Sequence, residues 1–235
     1  MYSFDSRIRF SEVDSDSKLM LNTLLDYFQD CSTFQSEDLG LGVGYCRQLN
    51  LVWLMSYWQI DIVELPKLGD RVKIGTFPYE FKGCFGFRNF FMENEKQEKL
   101  AVANSLWTLM DTEKMVPGRP TEEMKIGYAI EEKLDMEYLP RKIKFEGEYE
   151  ILEPVEVKEM HLDSNMHVNN GQYVRIACEY LPKGFPVKRL RASYHKSALL
   201  GDKMYPYIYS QKENTFGIAL CQEDGTVYAN VEFSH

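Results

Sequence analysis

One short segment of the chain, Asp163–Tyr173, contains side chains whose types and spacing suit acyl chemistry without a metal. Side chains of an extended segment alternate between two faces, so Asp163, Asn165 and His167 are expected on the same face. The residues that follow, Asn169–Gly171, have the composition of a helix start, where unpaired backbone N–H groups and the helix dipole favour a developing negative oxygen. The segment therefore predicts a base, an orienting amide and an oxyanion-binding site next to one another.

Each of these groups has an expected role. His167 is the expected general base, because an imidazole with an ordinary pKa of about 6.5 can take a proton from water at cellular pH. Asp163 could orient His167 or the water and would stabilise an imidazolium, and Asn165 can both donate and accept hydrogen bonds. The backbone N–H groups of Asn170 and Gly171 are the expected oxyanion donors, since glycine lets a ligand approach the backbone closely.

The same residues allow two other interpretations. Asn169 and Asn170 suit the cap of a helix, and capping does not exclude a role in the site. His161, Asp163 and His167 could in principle bind a metal ion, but their spacing at a strand-to-helix corner matches no common zinc pattern. We therefore expect no metal and no cofactor.

The chain also contains signs of an internal duplication. Three short matches occur in the same order in both halves, and the separation between matched residues decreases along the chain, so the second copy is expected to be more compact. The matches join Val13–Asp16 to Leu162–Asn165, Leu68–Val72 to Leu200–Met204, and Val102–Asn104 to Tyr228–Asn230.

Each copy is predicted to begin with a short strand, continue with a helix and end with several strands. One long helix against an antiparallel sheet, repeated twice, predicts an α+β protein; the pattern fits the hot-dog arrangement and also allows other α+β folds. The expected parts are an N-terminal domain at 1–125, a linker at 126–148 and a C-terminal domain at 149–235. The predicted helices are 19–37 and 171–181, and the predicted strands are 6–13, 52–63, 70–79, 86–93, 99–111, 149–160, 189–197, 203–211, 215–222 and 227–233.

Composition and charge exclude several classes of protein. The 235 residues are 44% hydrophobic and 14% aromatic, which is enough for a substantial core. A formal net charge of −9 argues against nucleic acid as a partner, because phosphate binding needs a basic surface. The five cysteines form no CxxC motif, as is typical of reduced thiols in a cytoplasmic protein. We expect no signal peptide and no membrane span, because the first residues lack an apolar leader and no long uncharged apolar stretch follows.

The DxNxHVNNxxY pattern of Asp163–Tyr173 resembles the active-site segment of the acyl-acyl-carrier-protein (acyl-ACP) thioesterases. The strand Trp53–Ile62, the turn Leu65–Asp70 and the run Ala103–Trp107 resemble the first domain of that family, so the likeness covers nearly the whole chain. It implies two tandem hot-dog domains, each an antiparallel sheet wrapped around a long helix. It also implies hydrolysis of fatty-acyl thioesters on acyl carrier protein, which releases free fatty acid, with Asp163, Asn165 and His167 as the catalytic residues.

The sequence departs from the family in one place. Family members usually carry a Glu, often followed by a Cys or a small residue, after the stretch that resembles Tyr194–Lys196, and this chain has Ser197 and Ala198 there. That Glu is thought to help handle the proton of the attacking water. Ser197 can hold a water but is a poor base at neutral pH, so it is expected to bind substrate with Asn170 and Gly171.

Other functions stay open on the sequence alone. One is a hot-dog thioesterase that acts on acyl-CoA, and another is a non-catalytic acyl-binding protein, which the change at Ser197 would favour. A hot-dog dehydratase is disfavoured, because the spacing of Asn165 and His167 follows the thioesterases.

The first copy lacks the predicted site. Asp14 and Asp16 occupy the related positions, but Lys18 follows them and no histidine does. That copy is expected to keep the fold and to bind the acyl chain. Its methionines and aromatic residues either line an acyl tunnel or form ordinary core; they include Trp53, Met55, Phe85, Phe87 and Trp107.

A basic region near the second site has two interpretations, a solvated surface or a docking site for the acidic carrier protein or a pantetheine phosphate. If it docks the carrier, charge reversal at Arg189 and Arg191 should raise KM for acyl-carrier protein more than for a small thioester. Two hot-dog units in one chain can pair internally, and a further homodimer stays open. The region comprises Lys183, Lys188, Arg189, Arg191, His195 and Lys196.

Overall fold

The computed structural model describes residues 1–210 and 214–235, without the side chain of Ser210. The chain divides into two compact units. The first contains Met1–Ser56 and Val63–Tyr138, and the second contains Tyr57–Ile62 and Leu139–His235. The domain boundaries predicted at 125 and 149 stay a prediction. We did not predict that Tyr57–Ile62 belongs to the second unit.

The first unit is an antiparallel sheet with one long helix, α1. Its strands follow the order β1-β3-β4-β5-β2, and β6 pairs with β5. Helix α1 packs on the sheet through buried side chains such as Phe28, whose ring lies 5.4 Å from that of Phe90. The elements are β1 (Tyr2–Arg7), α1 (Leu21–Asp38), α2 (Val43–Gln48), β2 (Leu51–Ile62, which enters the second unit at Tyr57), β3 (Arg71–Lys82), β4 (Phe85–Asn94), β5 (Lys99–Asp111), β6 (Val116–Pro117) and α3 (Glu122–Gly127).

The second unit repeats this plan with a shorter helix, α4. Its strands follow the order β9-β12-β11-β10-β7, β8 pairs with β10, and the second-unit part of β2 pairs with β9. The buried residues of α4 recur at helical spacing and include Tyr173, Val174 and Ala177. The elements are β7 (Tyr149–Ile151), β8 (Val155–Glu156), α4 (Asn170–Cys178), β9 (Arg189–Tyr194), β10 (Lys203–Ser210), β11 (Thr215–Cys221) and β12 (Val227–Ser234).

These two units confirm the predicted α+β class and the pairing of one helix with one antiparallel sheet in each copy. The predicted first strands were wrong at their C-terminal ends. Residues Phe10–Glu12 form a 3₁₀ turn, closed in part by the Glu12 carboxylate, which accepts the Arg9 N–H at 2.8 Å. The predicted strand 149–160 is broken at Pro154, which has no N–H to donate, and ends in a second 3₁₀ turn. The predicted strand 203–211 ends on Gln211, which lies outside the described residues.

The duplication is visible in the hydrogen bonds of both units. The Ile8 N–H donates to the Asp70 carbonyl at 2.9 Å, and the Val157 N–H donates to the Asp202 carbonyl at 2.8 Å in the same way. The first two sequence matches therefore pair residues that occupy equivalent positions in the two units.

The third sequence match was wrong by two positions. A β-bulge occurs at Leu100 in β5 and at Tyr228 in β12, because the register of the neighbouring strand skips each of these residues. The Leu100 carbonyl accepts the Val63 N–H, and the Tyr228 carbonyl accepts the His195 N–H. The residue equivalent to Tyr228 is therefore Leu100 and not Val102.

All five cysteines are free thiols, as predicted, and Cys31, Cys46 and Cys221 are buried. Burial raises the pKa of Cys31 to about 12, which keeps this thiol protonated and unreactive. Within the part of the chain that the structure describes, none of the helices is long and apolar enough to cross a membrane.

Candidate active site

The segment that carries Asp163, Asn165 and His167 is a tight turn and not the extended strand that we predicted. The Asp163 N–H donates to the His167 carbonyl at 2.8 Å, and Met166 has a positive φ of 62°. Asp163 Oδ1 accepts the backbone N–H groups of Asn165 at 2.8 Å and His167 at 3.2 Å. The carboxylate satisfies these N–H groups locally, so the chain folds back instead of extending.

The first unit contains the same turn without the histidine. Asp14 Oδ1 accepts the backbone N–H groups of Asp16 at 2.9 Å and Lys18 at 3.0 Å, and Ser17 has a positive φ of 60°. Asp14 therefore closes the turn of the first unit in the way that Asp163 closes the turn of the second. Since the turn forms around Lys18 as well, its geometry does not depend on an imidazole.

Helix α4 begins directly after the turn. Asn169 is its cap, and the Asn169 side-chain oxygen accepts the Gly171 N–H at 2.9 Å, as the capping interpretation predicts. The Gly171 N–H is therefore already engaged, which contradicts its predicted part as a free oxyanion donor. The oxyanion role expected for the Asn170 N–H stays a prediction.

The segment with Ser197 and Ala198 lies beside the turn. The Val168 N–H donates to the Ala198 carbonyl at 3.1 Å, which places Ser197 and His167 on neighbouring segments. The buried Tyr173 hydroxyl accepts the Ala198 N–H at 2.9 Å, and burial is the main cause that raises its pKa to about 12. Helix α4 thus fixes this segment through a neutral tyrosine.

A second tyrosine holds the other side of the helix start. The Tyr194 hydroxyl, at the end of β9, donates to the Asn170 carbonyl at 3.0 Å, and its ring lies edge-on to that of Tyr173 at 5.7 Å. The turn, the helix start and the end of β9 are therefore braced against each other by specific contacts.

His161 is a positioning residue whose role the sequence reasoning missed. Its Nδ1 accepts the Lys158 N–H at 3.1 Å, and its carbonyl accepts the Asn169 N–H at 2.9 Å. Burial lowers the pKa of His161, with smaller contributions in the same direction from Lys158 and Arg175. The signal that could have revealed this role is Glu12, which occupies the same position in the first copy and closes the same 3₁₀ turn.

The side chains of Asp163 and His161 are thus occupied by backbone contacts. Among residues 1–210 and 214–235, no three His, Cys, Asp or Glu side chains come together as a metal site.

Two arginines of the predicted docking region are structural. Arg189 Nε lies 2.5 Å from Asp61 Oδ1. Arg191 is 9% exposed, and its guanidinium contacts Glu232 at 2.7 Å and the Tyr57 hydroxyl at 3.0 Å. Both charges are paired with neighbouring carboxylates, which argues against the docking interpretation at Arg189 and Arg191.

The two basic-region residues closest to the site differ from each other. His195 Nε2 lies 3.1 Å from Ser193 Oγ, and partial burial of the ring lowers the pKa of His195, which favours the neutral imidazole. Lys196 is exposed and donates to Gln222 Oε1 at 3.0 Å. The charge that faces solvent beside Ser197 is therefore that of Lys196.

Together, the turn presents one half-buried imidazole (His167) and one exposed amide (Asn165) next to a capped helix start. An imidazole can accept a proton from water, and an amide can bind a carbonyl or water oxygen.

Comparison with known proteins identifies the two units. The profile of the acyl-ACP thioesterase N-terminal domain matches residues 1–128, and that of the C-terminal domain matches residues 143–233. Among curated proteins, the palmitoyl-acyl carrier protein thioesterase of Gossypium hirsutum is 24% identical over 197 residues, which are 77% of this chain and 47% of that protein. The oleoyl-acyl carrier protein thioesterase 2 of Arabidopsis thaliana is 23% identical over 75% of this chain and 53% of its own length. The chain thus spans about half the length of these curated relatives, whose names also carry the word chloroplastic.

Solved structures show the same fold. An acyl-ACP thioesterase of Bacteroides thetaiotaomicron superimposes with a TM-score of 0.91 at 20% identity, covering 99% of this chain and 96% of the other. The 12:0-ACP thioesterase of Umbellularia californica superimposes with a TM-score of 0.84 at 18% identity, again over 99% and 96% of the two chains. Both units have the hot-dog fold, and the chain belongs to the acyl-ACP thioesterase family.

Proposed function

We propose that this protein hydrolyses fatty-acyl thioesters carried by acyl carrier protein and releases free fatty acid. The observation that carries the proposal is the turn that presents His167 and Asn165 immediately before the capped start of α4. Family membership over both domains supports it.

In the proposed reaction a water oxygen attacks the thioester carbonyl carbon while His167 takes one proton of that water. Asn165 positions the water or the carbonyl, and the N–H of Asn170 stabilises the oxyanion. The carbon–sulfur bond then breaks, and the imidazolium returns the proton to the departing thiolate. The products are a carboxylic acid and the free thiol of the carrier arm, and the reaction needs no cofactor.

Asp163 is proposed to act through the turn. Its carboxylate engages the main chain of Asn165 and His167, as Asp14 engages the corresponding turn in the unit that has no histidine. Asp163 is therefore a positioning residue in this mechanism. Ser197, on the segment next to His167, is proposed to bind the substrate or the water through its hydroxyl.

The first unit is proposed to bind the acyl chain. Trp53 and Phe81 are half-buried, their rings lie 6.1 Å apart, and both pack beside the buried residues Leu109 and Tyr128. Met55 is buried, whereas Phe85, Phe87 and Trp107 are half-buried, so this unit offers aromatic surface to an apolar ligand.

We further propose a cytoplasmic location, supported by the five free thiols. A homodimer is compatible with this function, and gel filtration with light scattering would test it.

The test of the proposed function is thiol release from acyl-carrier-protein thioesters of four to eighteen carbons, with wild type, His167→Ala and Lys18→Ala in parallel. Lys18 is the matched control, because it occupies the position of His167 in the duplicated turn. We expect His167→Ala to reduce the rate by about 10² or more, as for loss of a general base, and Lys18→Ala to leave it unchanged.

The same assay separates the alternatives. Faster release from acyl-CoA than from carrier thioesters would make this an acyl-CoA thioesterase. Tight acyl binding by wild type without release from any thioester would overturn the hydrolase proposal and make the protein an acyl-binding protein.

A further inference from the structure

Four large apolar side chains are exposed on the corner that carries the candidate site. Met160 is 72% exposed, Met166 61%, Leu199 49% and Leu200 51%. We refer to these four residues as the apolar rim.

The rim residues lie on three adjacent segments. The bridge between Leu162 and Val168 joins the first segment to the second. The Val168 N–H donates to the Ala198 carbonyl, and the Gly201 N–H donates to the Val157 carbonyl at 3.0 Å, which joins the third segment to both others. The rim is therefore one local surface next to His167.

The duplicated unit serves as an internal comparison, because its corner has the same hydrogen bonds. Its residues at the four rim positions, in the same order, are Ser11, Ser17, Lys67 and Leu68. Three of the four positions are polar there. Since both turns fold alike, the apolar side chains of Met160, Met166 and Leu199 are not needed for the turn, and their joint exposure on one corner marks a candidate interaction surface.

The charges around the two corners also differ. At five positions beside the rim, the second unit has three cations and two carboxylates, whereas the first unit has one cation, three carboxylates and a phenylalanine. The residues are Lys158, Glu159, Arg175, Glu179 and Lys196 in the second unit, and Arg9, Phe10, Asp26, Asp30 and Glu64 in the first. The carboxylates Asp163 and Asp202 of this corner match Asp14 and Asp70 of the first unit, so the clearest difference is the exposed cation Lys196 where the first unit has Glu64.

We propose that the apolar rim, with Lys196 and Lys158 beside it, is the docking surface for acyl carrier protein. This inference rests on the proposed function, since the carrier must bring its thioester to His167. Lysines attract a small acidic protein and orient it, whereas exposed methionines and leucines supply adaptable apolar contact.

The test gives the second unit the residues of the first. The variant Met160→Ser/Leu199→Lys changes two rim residues, and Lys196→Glu reverses the adjacent charge. Met166 is left unchanged, because it lies between two candidate catalytic residues. The matched control is Met115→Ser/Ile126→Lys, which changes two exposed apolar residues of the first unit in the same way.

Two quantities are measured for each protein. One is KM for an acyl-carrier thioester and for the same acyl group on N-acetylcysteamine. The other is Kd for fluorescently labelled holo carrier protein. We expect the rim and Lys196 variants to raise KM and Kd for the carrier about tenfold, a loss of about 1.4 kcal/mol. The small thioester and the control variant should show no such change.

Equal effects on both thioesters, or no effect on Kd, would overturn the docking surface while hydrolysis by wild type still supports the proposed function. If wild type hydrolyses no thioester, the proposed function fails, and the Kd values alone decide whether the rim binds the carrier. Binding of each protein to vesicles of anionic phospholipid is measured as a further comparison. Loss of vesicle binding in the rim variant, with an unchanged Kd for the carrier, would make this surface a membrane contact and overturn the proposal.

Discussion

Asp163 holds His167 through the main chain. The Asp163 carboxylate accepts the His167 N–H at 3.2 Å, and the Asp163 N–H donates to the His167 carbonyl at 2.8 Å. The imidazole therefore owes its position to a turn that one carboxylate closes. Because Asp14 closes an equivalent turn around Lys18, the chain contains its own control for separating the structural part of this aspartate from any catalytic part.

Asp163→Ala should reduce kcat by about 10² or more, because a small displacement of a catalytic group is costly. Asp163→Asn keeps an acceptor oxygen and should stay within about tenfold of wild type, since the turn can still close. Asp14→Ala should lower the melting temperature as Asp163→Ala does, without lowering kcat. An Asp163→Asn variant as inactive as Asp163→Ala would show that the negative charge itself acts on the reaction.

Ser197→Glu should raise kcat, since it places a carboxylate on the segment hydrogen-bonded to Val168, next to His167. A positioned general base contributes about 10²–10⁴ in rate, so an increase of about tenfold or more is expected even with imperfect geometry. The control is Ser197→Gln, which has the same length without a charge. Equal rates for the Glu and Gln variants would contradict the idea that a missing carboxylate limits the rate of the proposed reaction.

His161 should make stability depend on pH. Its pKa is lowered, first by burial and then by Lys158 and Arg175, with Glu179 acting in the opposite direction. The folded state therefore favours the neutral ring, whose Nδ1 accepts the Lys158 N–H. This contribution is complete above the unfolded pKa of about 6.5 and is lost as pH falls below it towards the lower folded pKa.

Urea unfolding of wild type and His161→Asn between pH 5 and pH 8 tests this prediction. Asparagine offers an acceptor oxygen and does not titrate. The free energy of unfolding of the variant should therefore fall less towards pH 5 than that of wild type. Parallel curves for the two proteins would exclude His161 as a source of the pH dependence.

The Arg191–Glu232 pair should contribute to stability and not to carrier binding. Arg191→Ala should lower the free energy of unfolding by about 3–5 kcal/mol, because it leaves the Glu232 carboxylate without its partner in a largely buried site. The double variant Arg191→Met/Glu232→Leu removes both charges and should cost less. Denaturant unfolding measures both effects, and a destabilisation by the double variant as large as that by the single variant would contradict this account.

The sequence alone predicted the fold class and singled out the segment of the candidate site, whose role stays a prediction. The Asp163–His167 spacing, the Asn169 cap and the repeated Leu-Gly-Asp turn are local signals, and local hydrogen bonds in the structure account for each of them. The expectation of an extended strand failed for a local reason as well. An aspartate followed by small and polar residues can satisfy the N–H groups two and four positions ahead of it, and this outweighs alternation.

Tertiary structure decided the features that depend on partners distant in sequence. The bulges at Leu100 and Tyr228 are set by neighbouring strands, so the third repeat could not be aligned from residue types. In the sequence, Arg191 and Lys196 are both basic residues of one region. In the structure, Arg191 lies within β9 opposite Glu232 of β12, whereas Lys196 lies beyond the end of β9 and is exposed to solvent. Sequence specifies which groups are charged or apolar, but the pairing of strands determines which of them are buried and which remain available to a partner, because burial depends on what packs against each side chain.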